Sequence, residues 1–221
     1  MNNLEKILKK NKNLFRNVIS TQQGKSYTTD LSKNNPEMKK IDCGKVATFS
    51  RYIFDKLEKQ GSEFGIGKYN EDRVIYDHSN VFDGQEKRTI HLGIDLWVQP
   101  KTNVYAPLDA VVHSFNNNAA NGDYGPTIIL EHKLNDTIFH TLYGHLSLDS
   151  LENIYEGMTV KAGTTFARVG NYPINGNWPP HLHFQIIKNI LGKKGDFPGV
   201  CGDKDRAYFL DLCPDPNLIL F

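Results

Sequence analysis

The sequence predicts a mainly β domain with an α-helical N-terminal extension, and three observations carry that reading. From about Thr89 the chain breaks into short β-branched and aromatic runs, interrupted by Gly, Pro, Asn or Asp every ~8–12 residues, the pattern of an antiparallel β domain. Two segments, His91 to Leu96 and His181 to Ile186, alternate polar and apolar side chains with the two-residue period of a strand. Near the N-terminus the apolar side chains instead recur at helical spacing. On this reading residues 1–85 form the helical extension, 86–191 the β domain, and 192–221 a C-terminal tail packed on it.

Leu4, Ile7, Leu8, Phe15, Val18 and Ile19 fall near one helical face, with Lys6, Lys9, Lys10 and Lys12 mostly elsewhere, so the chain opens on an amphipathic helix packed on the main body. Residues 21–40 are polar and contain Asn34, Asn35 and Pro36, which marks a loop or linker. A second helix is expected from about Lys45 to Lys59, carrying Val46, Phe49, Tyr52, Ile53 and Leu57. Strands are expected at Asn103 to Tyr105, Ala110 to Phe115, Thr127 to His132, Thr137 to Tyr143, Thr165 to Val169 and His183 to Ile187. The tail from Gly192 is interrupted by Pro and Gly and receives no element.

Composition narrows the function classes. Hydrophobic residues make up 39% of 221, with 12 Phe and 10 Tyr, enough apolar surface to offset the ordering entropy of a globular chain. The formal charge is +1, from 26 Lys plus Arg against 25 Asp plus Glu, so no general field favours nucleic acid or anionic lipid, and neither is an expected partner. Met1 to Arg16 lacks the apolar core of a secretory signal, and no later stretch is long enough to span a bilayer. The expected location is therefore cytoplasmic by default, or the cell envelope if a leader has been removed. Cys43, Cys201 and Cys213 are widely spaced, odd in number and without a CxxC pair, so they read as ordinary thiols.

The chemistry is concentrated in three segments. In an extended HLGIDL, His91, Gly93 and Asp95 share one face while Leu92, Ile94 and Leu96 take the other, and Gly93 leaves open space for a metal and an approaching substrate. In HLHFQI, His181 and His183 project side by side. Between them, TLYGHLS ends an apolar strand on His145. Each motif alone is weak, because a histidine on a strand is more often hydrogen-bonded structure than ligand. Together they supply imidazoles and a carboxylate, a donor set that suits zinc, with three protein ligands leaving the fourth tetrahedral position open. The remaining histidines can then carry protons. His78, His113, His132 and His140 lack paired partners and read as structural or surface groups, with His113 and His132 explained by solvent-facing alternation at strand edges. Tyr143 reads as core, and Asp72 and Arg73, beside Tyr76, as a solvated charge pair in preference to part of the groove rim.

The stretch from His91 to Ile187 resembles the lysostaphin-type, or LytM-type, zinc metalloendopeptidases, through HLGID, VYAPLDAVV, DYGPTIILEH, TLYGHLS, GMTVKAGTTFARVG and PPHLHFQI in that order. The resemblance implies a two-layer antiparallel β-sheet domain of the duplicated hybrid motif type, holding one Zn²⁺ per chain in a groove walled by loops. It assigns His91, Asp95 and His183 as zinc ligands and His145 and His181 as catalytic histidines. It implies hydrolysis of peptide bonds in peptidoglycan or a related peptide, by a zinc-activated water. The chain departs from the family pattern at Ala110, a common glycine, at Gln185, a common glutamate, and at Asn175-Gly176-Asn177-Trp178-Pro179-Pro180, where a Trp and two prolines would build a stiff aromatic wall. Three rival readings differ on the same residues. A non-catalytic family member that binds and regulates a partner would be expected to lose ligands; a histidine phosphocarrier has no use for Asp95; D-Ala-D-Ala metallopeptidases space their His and Asp further apart.

Overall fold

The computed structural model of the chain describes residues 3–78 and 87–221; the expected boundary between residues 85 and 86 and the side chain of His78 lie outside the described residues. In chain order the elements are α1 (Asn3–Lys10), β1 (Ser26–Thr29), α2 (Val46–Gln60), β2 (Phe64–Gly67), β3 (Ile90–His91), β4 (Ile94–Trp97), β5 (Asn103–Tyr105), β6 (Ala110–Asn118), β7 (Gly125–Leu134), β8 (Thr137–Gly144), β9 (Thr159–Val160), β10 (Thr165–Arg168), β11 (His181–Ile187), β12 (Val200–Cys201), α3 (Arg206–Leu212) and α4 (Asn217–Leu220). The protein is mainly β. Eight strands form one sheet in the order β1-β2-β4-β11-β8-β7-β6-β9, and β5 pairs with β10 and β3 with β12 in two small sheets. Among the described residues every strand pairing is antiparallel except β1 with β2.

Alternation along the strands decides which face each side chain takes. Ile94 and Leu96 of β4, Leu182, Phe184 and Ile186 of β11, and Phe139 and Tyr143 of β8 point into the largest core. That core is closed by Val104 and Ala167 from the small β5–β10 sheet, Leu4 and Leu8 of α1, and Ile219 and Leu220 of α4. Tyr143 is thus a core residue, as expected. On the opposite face two smaller apolar clusters flank the centre of the sheet. One joins Phe49, Ile53 and Leu57 of α2 to Trp97 and Trp178; the other joins Ile129, Leu142 and Ile187 to Phe197 and Leu212 of the C-terminal segment.

Several local expectations change. The opening helix ends at Lys10, where the Asn11 side chain donates to the Ile7 carbonyl at 2.8 Å and competes with helix continuation. Val18 and Ile19 then run extended along β5, with Tyr105 N donating to Val18 O at 2.9 Å. The extension expected to be helical also supplies β1 and β2, which widen the main sheet; β1 lies in the segment expected to be a loop. Strands this short and Gly-rich, such as FGIG, carry little periodic signal, and pairing with β4 forms them. The helix expected from Lys45 to Lys59 is α2, shifted by one residue. All three cysteines are buried and none forms a disulfide among the described residues. No helix among the described residues is long and apolar enough to cross a membrane.

His132 and His140 are not solvent-facing. His132 is 1% exposed, stacks on Phe139 with ring centroids 5.0 Å apart, and lies 2.7 Å from Thr141 Oγ1. Burial drives its pKa down from 6.5 to about 4. A depressed pKa means that the unfolded chain binds this proton first, so the stability that neutral His132 permits is complete above about pH 6.5 and is lost as pH falls toward 4. Urea titrations of the wild-type chain and of His132→Gln across that window should show a shallower loss in the variant, by on the order of 3 kcal/mol. Parallel pH profiles would contradict this account.

Candidate metal centre

The sheet face opposite the main core carries the polar residues of β4 and β11. His183 pairs directly with Asp95 in the ladder, and His181 with Trp97, so the cross-strand register sets the Asp95 and His183 side chains beside each other. His91 arrives differently from the expectation. HLGIDL is not one strand: it breaks at Leu92 and Gly93, so that β3 pairs with β12 while β4 joins the main sheet. Nor is the space at Gly93 open. A Cβ there would lie 2.6 Å from the His183 ring and 2.8 Å from the Phe184 carbonyl, so glycine is required for the imidazole to pack over the backbone.

His91, Asp95 and His183 are all buried, and their donor atoms lie within 4.8 Å of one another. His91 Nε2 stands 3.0 Å from His183 Nδ1, and each is 3.3 Å from Asp95 Oδ1. The tautomers follow from the outer partners. His91 Nδ1–H donates to the Lys68 carbonyl at 2.9 Å, which leaves Nε2 as a lone pair. Gln185 donates its amide to the Pro198 carbonyl at 3.0 Å, so its oxygen faces His183 Nε2–H at 2.9 Å and His183 Nδ1 is also a lone pair. Two bare nitrogens and a carboxylate oxygen therefore face one another. Zn–N bonds of about 2.0–2.1 Å in a tetrahedral site place neighbouring donors about 3.3 Å apart, so this triangle fits a zinc-sized cation.

Electrostatics favour the same species. Burial alone would raise the Asp95 carboxyl, but His91, Arg73 and His181 outweigh it and hold it well below the usual carboxylate range. Burial, helped by Arg73, lowers His91 to about 4, so the ring is neutral at ordinary pH and competent as a ligand.

His145 and His181 stand beside the triangle with ring centroids 4.1 Å apart. His145 follows β8 in the left-handed conformation, φ 61°, which turns its ring back toward the site at a cost in backbone strain. Its Nδ1–H donates to the Asn175 carbonyl at 2.8 Å, and His181 Nδ1–H donates to the Pro179 carbonyl at 2.7 Å. Both rings are thereby held with Nε2 unprotonated. Burial lowers both pKa values, His181 to about 4 and His145 well below its ordinary value, with neighbouring histidines adding to the effect on His145.

These residues line a groove enclosing about 270 Å³. Trp178 and Tyr76 meet edge to face at 6.2 Å on one wall, and Phe197 to Val200 of the C-terminal segment form another. Asn175, fully buried, bonds both ways with the Trp178 backbone and so ties the Trp wall to His145. Asp72 and Arg73 are not a solvated pair. Asp72 pairs with Lys33, whereas Arg73 is 1% exposed and reaches Asp95 Oδ2 at 2.5 Å and Glu71 Oε2 at 2.9 Å. Glu71 was not singled out from the sequence, and Arg73 and Asn175 were named there without these contacts, because no spacing rule links them to residues so distant along the chain.

The family model described as Peptidase family M23 matches residues 89–195. Among solved structures, the catalytic domain of the antimicrobial peptidase lysostaphin from Staphylococcus simulans is 25% identical over 55% of this chain and 80% of its own, with a TM-score of 0.38. A zinc-containing peptidase from Vibrio cholerae is 25% identical over 44% of this chain, with a TM-score of 0.34, and only 27% of its own length is spanned. A chain of the SpoIIQ–SpoIIIAH pore-forming complex is 19% identical over 71% of this chain and 84% of its own, with a TM-score of 0.42. No curated protein sequence matches. The segment from Thr89 to Gly195 that carries the His/Asp/His triangle and both neighbouring histidines thus matches the model of peptidase family M23, which supports the resemblance to the lysostaphin- and LytM-type peptidases.

Proposed function

We propose that this protein is a zinc metalloendopeptidase that hydrolyses peptide bonds in peptidoglycan or a related peptide. The observation that carries the reading is the convergence of three lone-pair donors, His91 Nε2, Asp95 Oδ1 and His183 Nδ1, beside two imidazoles whose Nε2 atoms are unprotonated. When bound there, zinc would supply Lewis acidity, polarising the scissile carbonyl and bringing the pKa of the attacking water to about 7.

The chain's own groups handle substrate and protons. Trp178 and Tyr76 line the groove with aromatic rings against which an extended peptide can pack, and the groove walls exclude bulk water from the reacting carbonyl. His145 and His181 enter the reaction as neutral bases, because burial disfavours their charged forms. One Nε2 takes the proton of the attacking water. An imidazolium so formed, 4.1 Å from its neighbour between ring centroids, stabilises the developing oxyanion and then returns a proton to the leaving amine. The backbone bonds at Nδ1 keep both rings in the tautomer that this exchange needs.

Asp95→Ala and His183→Ala should each abolish stoichiometric zinc in the purified chain, read by elemental analysis. His145→Ala should retain zinc while turnover falls roughly 10²- to 10⁴-fold; full turnover in that variant would remove His145 from the mechanism. Trp178→Ala should raise KM more than it lowers kcat, and an unchanged KM would separate the aromatic wall from substrate binding. Mass spectrometry of a digest of purified peptidoglycan, and of a mixed peptide library, by the zinc-loaded protein tests the activity itself. Cleavage of neither substrate would replace the enzymatic reading with that of a non-catalytic, partner-binding family member.

A further inference from the structure

A carboxylate offers two oxygens, and in Asp95 only one faces the imidazoles. Oδ1 lies 3.3 Å from His91 Nε2 and from His183 Nδ1, whereas Oδ2 accepts from Arg73 Nη1 at 2.5 Å. Arg73 is held on every side: Nε donates to Glu71 Oε2 at 2.9 Å, Nη2 to the Lys68 carbonyl at 3.1 Å, and Nη1 also to the Tyr76 hydroxyl at 3.3 Å. The Lys68 carbonyl also accepts the His91 Nδ1–H. One short stretch, Lys68 to Tyr76, therefore orients two of the three donors, and it precedes the region matched by the family model. Gly67 makes room for this arrangement. A Cβ at that position would lie 2.7 Å from Arg73 Nη2 and 3.1 Å from Asp95 Oδ2.

We propose that Arg73 is a positioning residue of the metal centre, holding Asp95 to donation through Oδ1 alone and so keeping one coordination position open for water and substrate. The proposal rests on the zinc reading above. Its physical basis is directional. A carboxylate with both oxygens free can chelate a metal through both and fill the open position, and an arginine N–H held on one oxygen prevents that. Glu71 offsets the guanidinium charge beside Asp95, so the fixed orientation of the planar guanidinium, anchored through Nε and Nη2, is what Arg73 contributes more than added positive charge. Lysine, a point charge on a flexible stem, would not reproduce it.

The test compares the full chain as wild type, Arg73→Lys, and the double variant Arg73→Met/Glu71→Gln, in which both buried charges are removed together so that neither is left unpaired. Folding is checked by circular dichroism, zinc affinity by chelator competition, and coordination by the visible spectrum of the Co²⁺-substituted protein. The double variant should bind zinc roughly 10- to 100-fold more weakly, the usual effect of losing an outer partner of a ligand. Its Co²⁺ bands should weaken as Asp95 becomes bidentate and the coordination number rises, and Arg73→Lys should show the same spectral change to a smaller extent. A folded double variant with wild-type affinity and a wild-type Co²⁺ spectrum would overturn the proposal. If the double variant does not fold, an unaltered spectrum in Arg73→Lys would overturn it alone. A wild-type chain that takes up neither Zn²⁺ nor Co²⁺ would overturn the metal reading itself, and this inference with it.

Discussion

Three electron-pair donors at 3.0–3.3 Å repel one another, and much of the structure around the groove serves to hold them there. Each donor is fixed from behind: His91 by the Lys68 carbonyl, His183 by Gln185, and Asp95 by Arg73. None of these partners lies on the same element as the group it holds except Gln185, which shares β11 with His183. The site is thus preorganised before any cation arrives, and the cost of crowding the donors is met by bonds made elsewhere in the fold.

The sheet makes this arrangement economical. Because neighbouring side chains on a strand take opposite faces, β4 and β11 contribute to the largest core and to the site simultaneously. A one-residue slip between the two strands would turn the polar residues of the slipping strand, Asp95 or His183, into the apolar core and break their pairing. The dense packing of Ile94, Leu96, Leu182 and Phe184 therefore protects the register on which the donor triangle depends. Beyond the matched family segment, the chain adds walls: α2 and residues 68–76 on one side, and residues 196–201 on the other. These additions cover the donors from the flanks and give the groove its own aromatic character, through Tyr76 against Trp178.

Much of this was legible in the linear order. Helix α2 was visible from its apolar spacing, and the six expected strands correspond to β5, β6, β7, β8, β10 and β11 with ends shifted by up to a few residues. The short strands β1, β2, β9 and β12 were not, because their two to four residues show no clear period and they exist through their partners. The opening helix was read too long, since apolar spacing continues past Lys10 while Asn11 and the docking of Val18 and Ile19 along β5 end the helix. His132 was misread as solvent-facing because it shares the core face of β7 with Leu130 and Leu134 while Glu131 and Lys133 take the outer one, and alternation carries no sign of which face meets water.

Composition, periodicity and motif order by themselves determined the β class, the family resemblance, and the five side chains that the fold gathers at one place. They did so because those properties are local: an alternating hexapeptide or a run of motifs can be read without knowing its neighbours. Only the tertiary structure decided that Arg73 is buried against Asp95, that Gly93 makes room for the His183 ring and not for substrate, and that Asn175 ties the Trp178 wall to His145. Each of these is a contact between residues that are neighbours in space, and pairings of that kind arise from register and packing, which no local pattern encodes.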